Sequence, residues 1–169
     1  MSPTWKQRLA GLVRFRLAQR LMMWGIRVSV PRQRIGVAMV VFDEQGRVLM
    51  LRHVFHPYTP WGLPGGWLGR NEDPRDGVLR ELKEETGLEA TLEEPVDVAY
   101  SNAPPHVGVI YRGRIRPGRV TLSPEILEAG WFMPDSLPGP LRPSVQRAIR
   151  RAAQPHALPA GVEGLTRTS

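Results

Sequence analysis

Glu81, Glu84 and Glu85 crowd into a short stretch that ends on Gly87. Upstream, Asp73 suits a helix N-cap, Pro74 the first helical position, and Asp76 adds negative charge to the first turn. Gly87 is placed for a left-handed C-terminal cap, so the spacing predicts a helix over Pro74–Thr86. Val78, Leu79 and Leu82 form its apolar stripe. Glu81 and Glu85 stack one turn apart with Glu84 beside them, and Arg80 sits four residues before Glu84, within pairing reach. Three carboxylates on one face repel, so the face suits either open water or a bound cation. Carboxylate oxygens clustered this way fit hard divalent ions, and Mg²⁺ held like that usually also binds substrate phosphates.

The residues before the helix weigh the choice toward a cation. Gly65 and Gly66 let a backbone come close to a metal or phosphate. From Gly66 the chain runs five residues to Glu72, seven more to Arg80-Glu81-Leu82, then Lys83, Glu84-Glu85, Thr86 and Gly87-Leu88. This resembles the Nudix box, Gly-x5-Glu-x7-Arg-Glu-U-x-Glu-Glu-x-Gly-U with U a bulky apolar residue, at every specified position. Trp61-Gly62-Leu63-Pro64-Gly65 looks like that family's entry into the box. Glu125-Ile126-Leu127-Glu128-Ala129-Gly130-Trp131-Phe132, followed by Leu137-Pro138, looks like its last strand. The likeness covers residues 35 to 150 and leaves the first thirty-four and the tail outside.

The resemblance implies an α/β/α sandwich built on a mixed sheet, and a hydrolase of diphosphate linkages in nucleoside diphosphate compounds. It implies Mg²⁺ or Mn²⁺, one to several ions, held by Glu81 and Glu85, with Glu84 as a third ligand and a backbone carbonyl at Gly66. Arg80 then orients a box glutamate by a charge-assisted hydrogen bond. Glu72 braces the loop or acts through water. The general base is a box glutamate, Glu84 or Glu85, or a later one, with Glu125 and Glu128 as alternatives to their being plain surface acids. Arg70 and Arg52 flank the expected cleft as phosphate contacts, Arg70 being the better placed. Trp61, Trp67, Tyr58 and Tyr111 either stack on a base or form pocket wall and core. His53, His56 and His106 receive no role. ADP-ribose, dinucleoside polyphosphates, nucleotide sugars, CDP-alcohols and oxidised nucleoside triphosphates all fall within the family's range. A Nudix-like module that binds a nucleotide without cleaving it is the alternative, but such modules usually lose box glutamates, and all are present here.

Composition sets the outer limits. The 169 residues fit one domain with extensions, and 41% hydrophobic content supplies one core. With no cysteine, disulfides, thiolate metal sites and cysteine nucleophiles are excluded. No apolar run is long enough to cross a bilayer, and no small-residue cleavage site follows Leu21–Ile26, so a cytoplasmic protein is expected. The net charge of +7 is unevenly placed. Residues 1–41 hold eight basic residues and no acid, leaving the rest of the chain close to neutral. A domain that coats nucleic acid is therefore not expected; the basicity belongs to the N-terminal extension.

The elements follow from periodicity. Residues 1–34 form a basic extension with a helix over Trp5–Trp24, where Leu9, Val13, Leu17, Leu21 and Trp24 make a ladder. It packs on its own domain or on a second copy as a homodimer, lies on an anionic membrane surface, or acts as a targeting segment. The domain over residues 35–153 begins with a hairpin, Ile35–Phe42 and Arg47–His53, around Asp43-Glu44-Gln45-Gly46. A short strand over Trp61–Pro64 leads into the glycine turn and the acidic helix. Strands follow over Glu89–Ser101 (interrupted by Pro95), Val107–Ile115, Val120–Leu122 and Leu127–Met133, with a loop at Asn102–Pro105. A second helix spans Pro143–Ala153 with Ser144 as cap. Residues 154–169, small, polar and proline-bearing, are expected to be disordered. Strands, one helix, more strands and a last helix make an α+β order.

Overall fold

Side chains alternate across Ile35–Phe42 (β1), and both faces of this strand are covered. Val37, Met39 and Val41 enter one core, Val40 and Phe42 the other. Val48–His53 (β2) divides likewise, Leu49 and Leu51 against Val48 and Met50. A strand buried on both faces reads as an unbroken apolar run, as both do here. The computed structural model describes residues 16–29, 33–56, 58–102 and 104–154, with no side-chain detail for residues 16–18 and 27.

The chain divides after Gln33 into two units. The first contributes helix α1, Arg16–Ser29, which extends past the predicted end at Trp24. The predicted start at Trp5 lies outside the described residues, as does the tail from residue 155. Leu21, Trp24 and Val28 share one stripe of α1 and are 62%, 66% and 67% exposed. No helix among the described residues is long and apolar enough to cross a membrane.

The second unit is a seven-stranded mixed sheet between two helices. Besides β1 and β2 it contains Trp61–Gly62 (β3), Gly65–Trp67 (β4), Ala90–Asn102 (β5), Pro105–Ile115 (β6) and Ile126–Phe132 (β7). The order is β3-β2-β1-β6-β5, with β4 paired to β1 and β7 to β2. β1 and β6 run parallel; the other pairs are antiparallel. Pro74–Thr86 (α2) covers one face through Val78 and Leu82. Pro143–Ala153 (α3) covers the other through Ala148, Ile149 and Ala152. Each fully buried Val or Leu contributes roughly 1.5–3 kcal/mol.

Four expectations change. Gly65 and Gly66 belong to strand β4, because their backbone pairs with Ala38 and Val37. The loop expected over Asn102–Pro105 narrows, since Asn102 of β5 pairs with Pro105 of β6, while Pro95 interrupts β5 as expected, with a register shift on either side. Residues 120–122 form no strand. Here Thr121 N–H donates to Thr86 O (2.8 Å) and Ser123 N–H to Glu85 O (3.0 Å). These donors satisfy carbonyls at the end of α2 that have no partner within the helix. Arg142, not Ser144, is the N-cap of α3, since Pro143 takes the first helical position.

One ion-pair cluster fastens α3 to the sheet. Asp97 of β5 is 5% exposed and accepts from Arg147 Nε (3.0 Å) and Arg151 Nη1 (2.5 Å). Removing both arginines leaves a buried charge without these partners. The cost is less than for a fully enclosed pair, because both arginines reach solvent. Arg147→Ala/Arg151→Ala is expected to lower stability by about 2–3 kcal/mol, read as a urea midpoint shift at constant slope.

Candidate active site

Helix α2 forms where the sequence places it. Asp73 accepts from Arg75 N–H at 2.8 Å, and Gly87 closes the helix at φ 70° with its N–H on Lys83 O. The turn before it passes through Asn71 at φ 59°, a conformation asparagine tolerates. The acidic face, however, is not uniformly wet. Glu85 is 8% exposed overall, while the Glu84 side chain is 59% exposed.

Arg80 is the hub of the face. Its Nε and Nη2 donate to the two oxygens of Glu72 (2.7 and 3.0 Å). Its Nη1 donates to Glu81 Oε1 (2.9 Å) and to Glu84 Oε2 (2.8 Å), and Nη2 also reaches Trp67 O (3.3 Å). These are strong charge-assisted bonds. Arg80 and the Gly69 N–H together hold the Glu72 carboxyl down at about 2. Glu72 therefore ties the box loop to the helix, and Arg80 stays protonated at any working pH.

Glu81 and Glu85 face the two glycines. A Cβ on Gly66 would lie 2.5 Å from the Glu81 carboxylate, so only glycine leaves that carboxylate its place. The Gly65 N–H donates to Glu85 Oε2 at 2.9 Å. Burial first, and then the Glu81, Glu125 and Glu84 charges, push the Glu85 carboxyl up to about 8 against that hydrogen bond. Burial also raises Glu81, with Arg80 opposing. Glu85 Oε1 lies 3.7 Å from His53 Nδ1. Burial and His56 hold His53 at about 4, so near neutral pH this contact is not an ion pair.

Two neighbouring carboxyls whose ionised forms burial disfavours, set against glycine backbone, form a donor set whose negative charge Arg80 meets only at Glu81. A divalent cation meets the rest, so these residues fit one: Glu81 and Glu85, with the Gly66 backbone beside them. Glu84 is turned outward onto Arg80. Among the described residues no three His, Asp or Glu side chains stand together as a metal-ligand group, and Glu72, Glu81 and Glu84 each pair with Arg80.

A cleft of about 440 Å³ opens from Gly65 and Gly66. Trp61 lines it, packed edge-on against Phe132 at 5.4 Å. Trp67 and His106 make a second wall, 4.9 Å apart and edge-on. Arg52 and Arg70 do not line it. Arg52 sits opposite Glu128 of β7 (3.7 Å), and Arg70 is exposed in the box turn. Tyr111 is core at 6% exposure and Tyr58 is exposed. Glu125 is exposed just before β7, its carbonyl accepting from Val54 N–H, and its charge reaches Glu85. Among the described residues the arginines that line the cleft are Arg142 and Arg147, which sequence reasoning missed. The available signal was Arg142 at the start of a helix, where a cation opposes the helix dipole.

The NUDIX domain profile matches residues 32–152. A MutT-like protein of Streptomyces ambofaciens is 34% identical over 64% of this chain and 70% of its own length. An RNA pyrophosphohydrolase of Cereibacter sphaeroides is 32% identical over 49% of this chain, and the match spans about half of that relative's length (54%). The crystal structure of an ADP-ribose pyrophosphatase from Streptococcus suis superposes with a TM-score of 0.60 at 26% identity, over 72% of this chain and 89% of that one. With the profile matched across the whole sheet and both of its helices, and every specified box position filled, the chain belongs to the NUDIX domain family.

Proposed function

We propose that the chain hydrolyses a diphosphate linkage in a nucleoside diphosphate compound, with Mg²⁺ or Mn²⁺ as cofactor. The observation that carries this is the pair Glu81 and Glu85, set against Gly65 and Gly66 where the cleft opens. A divalent cation bound there neutralises diphosphate charge and acidifies water for attack on phosphorus. The chain's own residues prepare that place. Arg80 fixes Glu81, Glu72 fixes Arg80, and the Gly65 N–H aims Glu85 so that its Oε1 can hold a proton or give it up. Glu125 is the acid outside the box whose charge reaches Glu85, and is the proposed base. The Trp67–His106 wall is suited to a nucleobase face.

A second reading draws on Arg80, which already pairs with three box carboxylates: the site binds a nucleotide without cleaving it. A product screen separates the two. ADP-ribose, a dinucleoside polyphosphate, a nucleotide sugar, a nucleoside triphosphate and a 5′-triphosphorylated oligonucleotide are incubated with Mg²⁺, with Mn²⁺ and with chelator. Hydrolysis predicts at least one compound cleaved between phosphorus atoms, with activity lost in chelator. No turnover, together with a nucleotide that raises the melting temperature, favours the binding module.

A further inference from the structure

Among the described residues the cleft carries no Asp or Glu along its lining, yet it holds Arg142 and Arg147. They are not equivalent. Arg147 is committed to Asp97 beneath it, at 2.8 Å through Nη2 and 3.0 Å through Nε. Arg142 makes a long 3.4 Å bond from Nε to Thr59 Oγ1, a weak neutral partner for a guanidinium. It also stands at the N-terminus of α3, where a cation opposes the helix dipole and forms no cap. A residue that costs local stability and points into a cleft is better explained by what enters the cleft.

A polar path joins Arg142 to the carboxylate site. Glu85 meets His53, the His53 ring is 5.2 Å from that of His56, and His56 lies within the field of Arg142. His53, His56, Thr59 and Arg142 all line the cleft. All four carry hydrogen-bond donors or donor-capable rings, and a guanidinium matches phosphate oxygens in a forked pair.

We propose that Arg142, with Thr59 and His56, forms an anion subsite that takes a phosphate of the substrate beyond the linkage being broken. The inference rests on the hydrolase reading and narrows it: compounds with a further phosphate, such as nucleoside triphosphates and 5′-triphosphorylated ends, are favoured over those that carry a neutral group there, such as ADP-ribose. Arg142 is a specificity residue in this scheme and takes no part in bond cleavage.

The test uses the full chain and inorganic tripolyphosphate as probe, by calorimetry in chelator, so that no turnover is needed. Wild type is expected to bind, Arg142→Ala to bind about tenfold or more weakly, and Arg142→Lys to lie between, since lysine keeps the charge without the fork. The melting temperature of each variant checks folding. In parallel, the ratio of kcat/KM for a nucleoside triphosphate to that for ADP-ribose is expected to fall about tenfold in Arg142→Ala, mostly through KM. No binding by wild type, equal binding by a folded Arg142→Ala, or an unchanged ratio overturns the subsite. A wild type that binds tripolyphosphate through Arg142 but cleaves nothing overturns the hydrolase reading instead.

Discussion

Glu85→Gln is expected to lose turnover by a factor on the order of 10³, while making the metal-free protein more stable at pH 8. The two effects share one cause. Glutamine keeps the oxygen that accepts from the Gly65 N–H and the shape of the side chain, but it removes the carboxylate that a cation needs. The buried carboxyl has a folded value of about 8, well above the ordinary 4.5. Below 4.5 both folded and unfolded chains are protonated and Glu85 costs nothing. Between 4.5 and 8 the unfolded chain ionises first, so folding becomes less favourable as pH rises. Above 8 the full cost is present, on the order of 5 kcal/mol. Urea denaturation in chelator at pH 5 and pH 8 reads this directly. The variant should gain little at pH 5 and clearly at pH 8. Equal stability of variant and wild type at pH 8 would mean that burial does not hold the carboxyl up.

Gly65→Ala and Gly66→Ala should fail in different ways, although the residues are neighbours. At Gly65 the backbone lies at φ +153°, and an added Cβ would overlap the Val37 carbonyl oxygen and sit 2.6 Å from Ala38 Cα. Both obstacles are backbone of the central strand, which cannot move aside without breaking the β1–β4 ladder. A loss of about 3 kcal/mol or more is expected, with much of the protein insoluble. At Gly66 the Cβ would meet the Glu81 carboxylate, the end of a flexible side chain. That group can swing away, so Gly66→Ala should fold with a nearly unchanged melting temperature while kcat falls at least about tenfold. Thermal melts and steady-state rates on the two proteins check both halves.

The acidic helix was legible because its signals are local: Asp73, Pro74 and Gly87 set its ends, and spacing sets its stripe. The strands Ile35–Phe42 and Val107–Ile115 were legible from their β-forming composition, though not their parallel pairing, which depends on a crossover through α2. Residues 120–122 misled because a β-like pattern says nothing of where its N–H groups go; here the N–H of Thr121, with that of Ser123 just beyond the segment, serves the end of α2. In the site, the box spacing put Glu81 and Glu85 on one helix face, and the structure sets them against Gly66 and Gly65. The box could not show that Glu85 is buried while Glu84 faces solvent on Arg80, since both lie on the same helix face by spacing. Arg52 and Arg70 were reasonable by proximity in sequence. The cleft instead takes its arginines from α3, more than fifty residues after the box, and only the tertiary fold brings that helix alongside β5 and His56.

The most direct test of the account is a single turnover of the best-cleaved compound in ¹⁸O-labelled water with Mg²⁺, followed by mass spectrometry of both products. Attack of water on phosphorus at this site predicts one ¹⁸O in one phosphate-bearing product and none in the other, with the label absent in chelator and in Glu85→Gln. Label incorporation that is equal in wild type and Glu85→Gln, or nucleotide binding with no labelled product from any compound, would contradict it.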